Sequence, residues 1–171
     1  MPKIRRLEFL PAPDRLEAPE DEVHIWRVDL ERVASEWALR EILGRYLGLA
    51  ADELRFETGR YGKPRLADPR GELAFNLSHS GSLALVAVAR REVGVDVERI
   101  RAKRPLDFYR RWADREARVK CLGTGLTGPV PPDTPEPAVQ RLDVGPGYAA
   151  SIAVSGPPAA LRCWTYDPPL R

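Results

Sequence analysis

Lysine is scarce in this chain of 171 residues: of 27 basic side chains, only Lys3, Lys63, Lys103 and Lys120 are lysines. A lysine inside a motif is therefore hard to dismiss as filler. Cysteine is scarcer still. Cys121 and Cys163 stand singly, with no CxxC pair and no histidine partner, which argues against a disulfide framework or a zinc site and for a reduced, cytoplasmic protein. A dominant charge is also missing. The net charge of +2 speaks against a general nucleic-acid binder. No apolar run approaches the roughly 18–20 residues that span a bilayer. The start, Met1 to Arg6, lacks the apolar core of a signal peptide, so no membrane partner is expected.

Proline is plentiful. Its 17 copies gather near the N-terminus, in 129–137 and at the C-terminus, and the stretch from Gly125 to Pro137 reads as an extended linker. With 43% hydrophobic residues the chain has enough apolar surface for a core. Alternation predicts strands at 23–28, 54–57, 73–77 and 93–98, and the continuous apolar run 83–89 predicts a strand buried on both faces. Residues 31–48 read as an amphipathic helix with Val33, Trp37, Leu39, Ile42, Leu43, Tyr46 and Leu47 inward and Gly48 as its stop. A second helix spans 106–122, with Pro105 at its start and Gly123 at its end. Three strands, 138–144, 148–154 and 161–166, close the chain. Two passes of helix then strands suggest two similar halves, 1–92 and 93–171.

The chemistry concentrates in a few short stretches. In Gly94-Val-Asp-Val-Glu98 the period of a strand places Asp96 and Glu98 on one face and Val95 and Val97 on the other. In the second helix Glu116 and Lys120 share a face at i,i+4. Three carboxylates suit a hard cation such as Mg²⁺, which takes oxygen ligands together with substrate phosphates, and Lys120 would add a point charge for a phosphoryl oxygen. Spacing alone equally describes a solvated strand face and a common helical ion pair. Phe75-Asn-Leu-Ser-His-Ser80 brings a histidine and hydroxyls to a strand end, either to meet an anion or to cap a local turn. His24 reads as structural. Gly62-Lys63-Pro64 reads as a loop under a nucleotide or as a surface turn.

In order, Gly62-Lys63-Pro64, Phe75-Asn-Leu-Ser-His-Ser80, Val93-Gly-Val-Asp-Val-Glu98, Trp112-x-x-x-Glu116-Ala-x-x-Lys120 and Gly123-Thr-Gly-Leu126 resemble the 4′-phosphopantetheinyl transferase superfamily, in its two-lobed, surfactin-synthetase-activating type. Gly147-Tyr-Ala-Ala-Ser-Ile-Ala-Val154 is similar to that family's late strand. The resemblance implies an α+β fold of two pseudo-twofold lobes, each a helix on a small, mainly antiparallel sheet, with the cofactor between them. It implies Mg²⁺-dependent transfer of phosphopantetheine from coenzyme A to a serine of an acyl or peptidyl carrier protein, releasing 3′,5′-ADP. By position, Asp96, Glu98 and Glu116 would hold Mg²⁺, and Glu116 would accept the serine proton. Lys120 would grip the transferring phosphate. Lys63, Ser78, His79 and Arg40 would contact coenzyme A. Fatty-acid, polyketide and peptide-synthesis carriers are all compatible, and a monomer suffices to build the cleft. The chain departs from the family pattern after Asp29 and after Glu98, where segments of relatives are shortened. The alternative is therefore a catalytically weak relative that binds coenzyme A or a carrier without turning over.

Overall fold

A computed structural model describes residues 4–13, 15–17, 19–59, 62–67, 73–125, 128–130 and 132–168. The chain order is β1 (Ile4–Arg6), β2 (Leu10–Pro11), β3 (Glu22–Asp29), α1 (Ser35–Leu47), β4 (Phe56–Thr58), β5 (Pro64–Leu66), β6 (Ala74–Ser80), β7 (Leu83–Ala89), β8 (Val93–Arg99), α2 (Leu106–Leu122), β9 (Ala138–Asp143), β10 (Tyr148–Val154) and β11 (Ala160–Tyr166). The class is α+β. One sheet has the order β2-β11-β3-β7-β6, a second β1-β9-β10-β8, and β4 pairs with β5 alone. Most pairings are antiparallel; β11 runs parallel to β2 and β3, and β1 parallel to β9.

Strand periodicity explains how these pieces stack. Val23 and Ile25 of β3, Leu83, Leu85 and Ala87 of β7, and Val93, Val95 and Val97 of β8 form one buried cluster with Ala150, Ile152 and Val154 of β10. The two large sheets thus share a core. The alternate residues of β3 and β7, among them Trp26, Val28, Ala84, Val86 and Val88, pack under Ala38, Leu39, Ile42 and Leu43 of α1. Helix α2 covers the outer face of the other sheet through Ala117 and Cys121, which meet Ala153. The layers run helix, sheet, sheet, helix.

The sequence locates both helix ends that carry glycine. Gly48 and Gly123 adopt left-handed conformations, φ 66° and 65°, and their N–H groups close on Gly44 O and Val119 O. Helix α2 begins after Pro105 as expected. Helix α1 begins at Ser35 rather than at 31, because residues 30–32 form a turn whose backbone returns to Asp29. Trp37 also leaves the expected buried stripe: it is 43% exposed, and its indole N–H donates to Glu41 Oε1 at 2.9 Å. Residues 78–80, expected as a polar corner, continue β6. The short β1, β2 and β5 carry too few residues for a periodic signal. The halves expected at 1–92 and 93–171 divide between β7 and β8. Strand β1 nevertheless lies in the sheet of the second half and β11 in that of the first. Among the described residues no helix is long and apolar enough to cross a membrane, and both cysteines are free and buried.

Candidate active site

Strand β8 turns Val93, Val95 and Val97 into the shared core, so Gly94, Asp96 and Glu98 face α2. Gly94 sets the distance between them. A Cβ built there would lie 2.1 Å from Ala117 O and 2.3 Å from Cys121 N, so only glycine lets the α2 backbone rest directly on β8. The neighbouring strand matches this economy. Ala149, Ser151 and Ala153 of β10 stand opposite Glu98, Asp96 and Gly94.

One turn of α2 then overlies Asp96. The Lys120 ammonium donates to Asp96 Oδ1 at 2.6 Å, to Ser78 Oγ at 3.1 Å and to Val95 O at 3.3 Å. The Ser78 hydroxyl donates to the same Asp96 Oδ1 at 3.1 Å and accepts from the Val97 N–H at 3.3 Å. Asp96 is 3% exposed. A carboxylate so buried requires a counter-charge, and Lys120 supplies it. The other carboxylates are less well served. Burial and the Asp96 charge push Glu98 above the usual carboxylate range, with Lys120 and a hydrogen bond from Trp112 pulling it back down. Burial and Asp96 push Glu116 up as well, against Lys120 and Arg115. Among the described residues, Asp96 Oδ2 and Glu116 Oε1 are buried with no hydrogen-bond partner.

A second polar network holds α2 in register. Asp114 receives two hydrogen bonds from Arg141, 3.0 and 2.8 Å to Oδ2, and one of 2.6 Å from the Ser151 hydroxyl to Oδ1. Ser151 lies directly across from Asp96. None of Asp114, Arg141 or Ser151 stands out in the sequence; the alternation of Ala149, Ser151 and Ala153 is the only trace.

Strand β6 meets the free edge of β8 through side chains rather than backbone. Asn76 Oδ1, Ser78 Oγ and Ser80 Oγ accept from the N–H groups of Val95, Val97 and Arg99, at 2.8, 3.3 and 3.0 Å. Their period of two is legible in Asn-Leu-Ser-His-Ser; their partners, nineteen residues on, are not.

The remaining expected residues are distributed around this centre. Lys63 is 9% exposed and committed: its ammonium donates to Glu92 Oε2 at 2.7 Å and to Val93 O at 3.0 Å. It nonetheless lines a cavity of about 260 Å³ with Gly62, Pro64, Asn76, Glu116, Lys120 and Gly123. Arg40 lies in an adjoining cavity that shares Pro64 and Asn76. Its guanidinium donates to Ala51 O and Leu54 O and stacks over Phe56, 4.9 Å from the ring centre. His79 is exposed, and alternation along β6 sends it to the face opposite Ser78. Arg60 and Tyr61 of the turn at 59–64, and Leu126 of the 123–126 stretch, lie outside the described residues.

Among the described residues, no three His, Cys, Asp or Glu side chains are grouped closely enough to hold a metal ion by themselves. The donor set still suits a hard cation. It is all oxygen, it exceeds the positive charge beside it, and two of its buried oxygens are unpartnered.

No family model matches the chain. Among curated proteins it is 28% identical to the 4′-phosphopantetheinyl transferase HetI of Nostoc sp., covering 92% of this chain and 98% of that protein. It is 26% identical to the 4′-phosphopantetheinyl transferase Sfp of Bacillus subtilis, covering 70% and 71% of the two chains. It is 27% identical to the L-aminoadipate-semialdehyde dehydrogenase-phosphopantetheinyl transferase of Mus musculus, over 71% of this chain and 52% of that one. The Nostoc alignment runs for 233 positions against the 171 residues here, so that relative has stretches without a counterpart. With the ordered motifs and the α2–β8 site they build, these relatives make the chain similar, over most of its length, to 4′-phosphopantetheinyl transferases.

Proposed function

We propose that this chain moves the 4′-phosphopantetheine group of coenzyme A onto a serine of an acyl or peptidyl carrier protein, with Mg²⁺, releasing 3′,5′-ADP. It would act as a cytoplasmic monomer whose two helix-on-sheet halves form the lobes around the substrate. The observation that carries this reading is the meeting of four separate motif stretches, at Lys63, Asn76, Glu116–Lys120 and Gly123, around one cavity beside Asp96.

The roles follow from the groups in place. Asp96, Glu98 and Glu116 would hold Mg²⁺, which when bound neutralises diphosphate charge and makes the phosphorus more electrophilic. Lys120 lines the cavity from α2 beside Asp96 and, once released from that carboxylate, would bind a non-bridging phosphoryl oxygen. Glu116, with its raised proton affinity, would take the proton of the carrier serine as that oxygen bonds to phosphorus. The bond from phosphorus to the 3′,5′-ADP oxygen breaks in the same displacement. Arg40 and His79 lie on the α1 side of β6, away from Asp96, and suit the nucleotide end of coenzyme A. Lys63 would contribute there through its position at the cavity wall. No observation favours the alternative of a relative that binds without transferring.

Intact-mass spectrometry of an apo carrier protein incubated with this chain, coenzyme A and Mg²⁺ tests the reading. Gain of one phosphopantetheine is expected, and its loss when Asp96→Asn replaces wild type. No mass gain on fatty-acid, polyketide or peptide-synthesis carriers would overturn it.

A further inference from the structure

Lys120 carries three N–H bonds and uses all three: on Asp96 Oδ1, Ser78 Oγ and Val95 O. It therefore has no donor to spare for a phosphoryl oxygen while it sits where the structure has it. Asp96 is in the complementary position. One of its oxygens is saturated by Lys120 and Ser78, while the other is buried without a partner among the described residues, as is Glu116 Oε1. Three carboxylates face one ammonium.

We infer that Lys120 is the built-in counter-ion of this site, occupying Asp96 in place of a divalent cation and giving way when that cation binds. The inference rests on the reading of Asp96, Glu98 and Glu116 as cation ligands. It adds that the ammonium and the metal compete for one carboxylate. The Lys120 side chain is 27% exposed, against 4% for Asp96, so the lysine is the mobile partner and the aspartate the fixed one. Four methylene groups let it swing toward the cavity that it already lines. There it would need a new anionic partner, which a diphosphate provides. Binding of the cation and binding of the anion are therefore coupled, and each strengthens the other by the same factor. The same exchange protects the metal-free protein, whose buried Asp96 is never left without a positive neighbour.

Mn²⁺ binding to the full chain, followed by the paramagnetic resonance signal of free Mn²⁺, tests this without any turnover. Lys120→Met should bind Mn²⁺ about tenfold tighter than wild type, the scale expected when one competing unit charge is removed from beside a buried ligand. Lys120→Arg keeps the charge and should stay near wild type. Equal or weaker Mn²⁺ binding by a folded Lys120→Met would overturn the inference while leaving the metal assignment standing. Asp96→Asn separates the two: if it binds Mn²⁺ as wild type does, the cation reading itself fails. Should Lys120→Met not fold, wild type decides. Isotope labelling of its four lysines gives few enough signals to assign, and Mg²⁺ should shift that of Lys120 and leave that of Lys63 in place. An unmoved Lys120 signal at saturating Mg²⁺ would overturn the exchange.

Discussion

The Ser78 hydroxyl is fully used: it donates to Asp96, and accepts from Lys120 and from the Val97 N–H. Ser78→Ala would strand a buried backbone donor and loosen both members of the charge pair. A loss of about 1–3 kcal/mol in urea denaturation is expected, the usual scale for an orphaned buried group. His24 makes a different prediction. It is buried, hydrogen-bonded to Tyr46 Oη at 2.7 Å and to Glu22 Oε1 at 2.9 Å, and burial lowers its pKa from 6.5 despite the pull of Glu22. Below 6.5 the unfolded chain takes up the proton before the folded one does, so this histidine's contribution declines as pH falls through that interval. The melting temperature of wild type relative to His24→Gln should be level above neutrality and drop as the pH is lowered past 6.5. A difference that stays flat would rule out a buried neutral imidazole. Lys63 shows where single residues escape a linear reading. Its sequence neighbourhood suggests a free cation in a loop, yet its partner, Glu92, lies twenty-nine positions away.

Among the elements, α2 and β8 were the most legible, and for a physical reason. The ends of α2 are marked by local chemistry, Pro105 and Gly123, and the faces of both elements by simple periods, so Asp96 and Glu98 on one side and Glu116 with Lys120 on one turn follow from spacing. Whether those faces meet is a matter of packing, and Gly94 decides it. Gly94→Ala would drive a methyl group into backbone atoms of α2. It should cost about 1–3 kcal/mol or more in thermal unfolding, the range for an overpacked core. It should also lower transfer further than that loss explains, because Lys120 is lifted off Asp96. The end of β6 is hidden from the sequence for the opposite reason. Asn76, Ser78 and Ser80 look like turn-capping residues because short polar side chains favour local backbone partners. Here they serve a strand from the other sheet.

At the scale of the whole molecule, the two chain ends cross over. Strand β1 joins the sheet built around β10, and β11 inserts between β2 and β3 in the other. Since both sheets also line one core, neither half is complete without the other. Chemical denaturation of the full chain should be a single transition, superimposable by tryptophan fluorescence and far-ultraviolet circular dichroism. A fragment of residues 1–92 should show no cooperative transition, because it exposes Ile25, Leu83, Leu85 and Ala87 and leaves β3 without β11. A fragment that melted sharply would contradict this. The crossing was not readable beforehand, since pairings between the two ends of a chain leave no periodic mark.

The insertion of β11 also sets a timetable. A ribosome delivers β3, with Val23, Ile25, Trp26 and Val28 on it, long before residues 160–166 exist. Domains generally settle as they emerge, but this strand must wait, with one edge open, for a segment more than a hundred residues further on. An unpaired apolar edge is a template for pairing with another chain. The nascent protein is therefore vulnerable to aggregation until residues 160–166 have emerged, and β11 acts as the latch that ends that exposure.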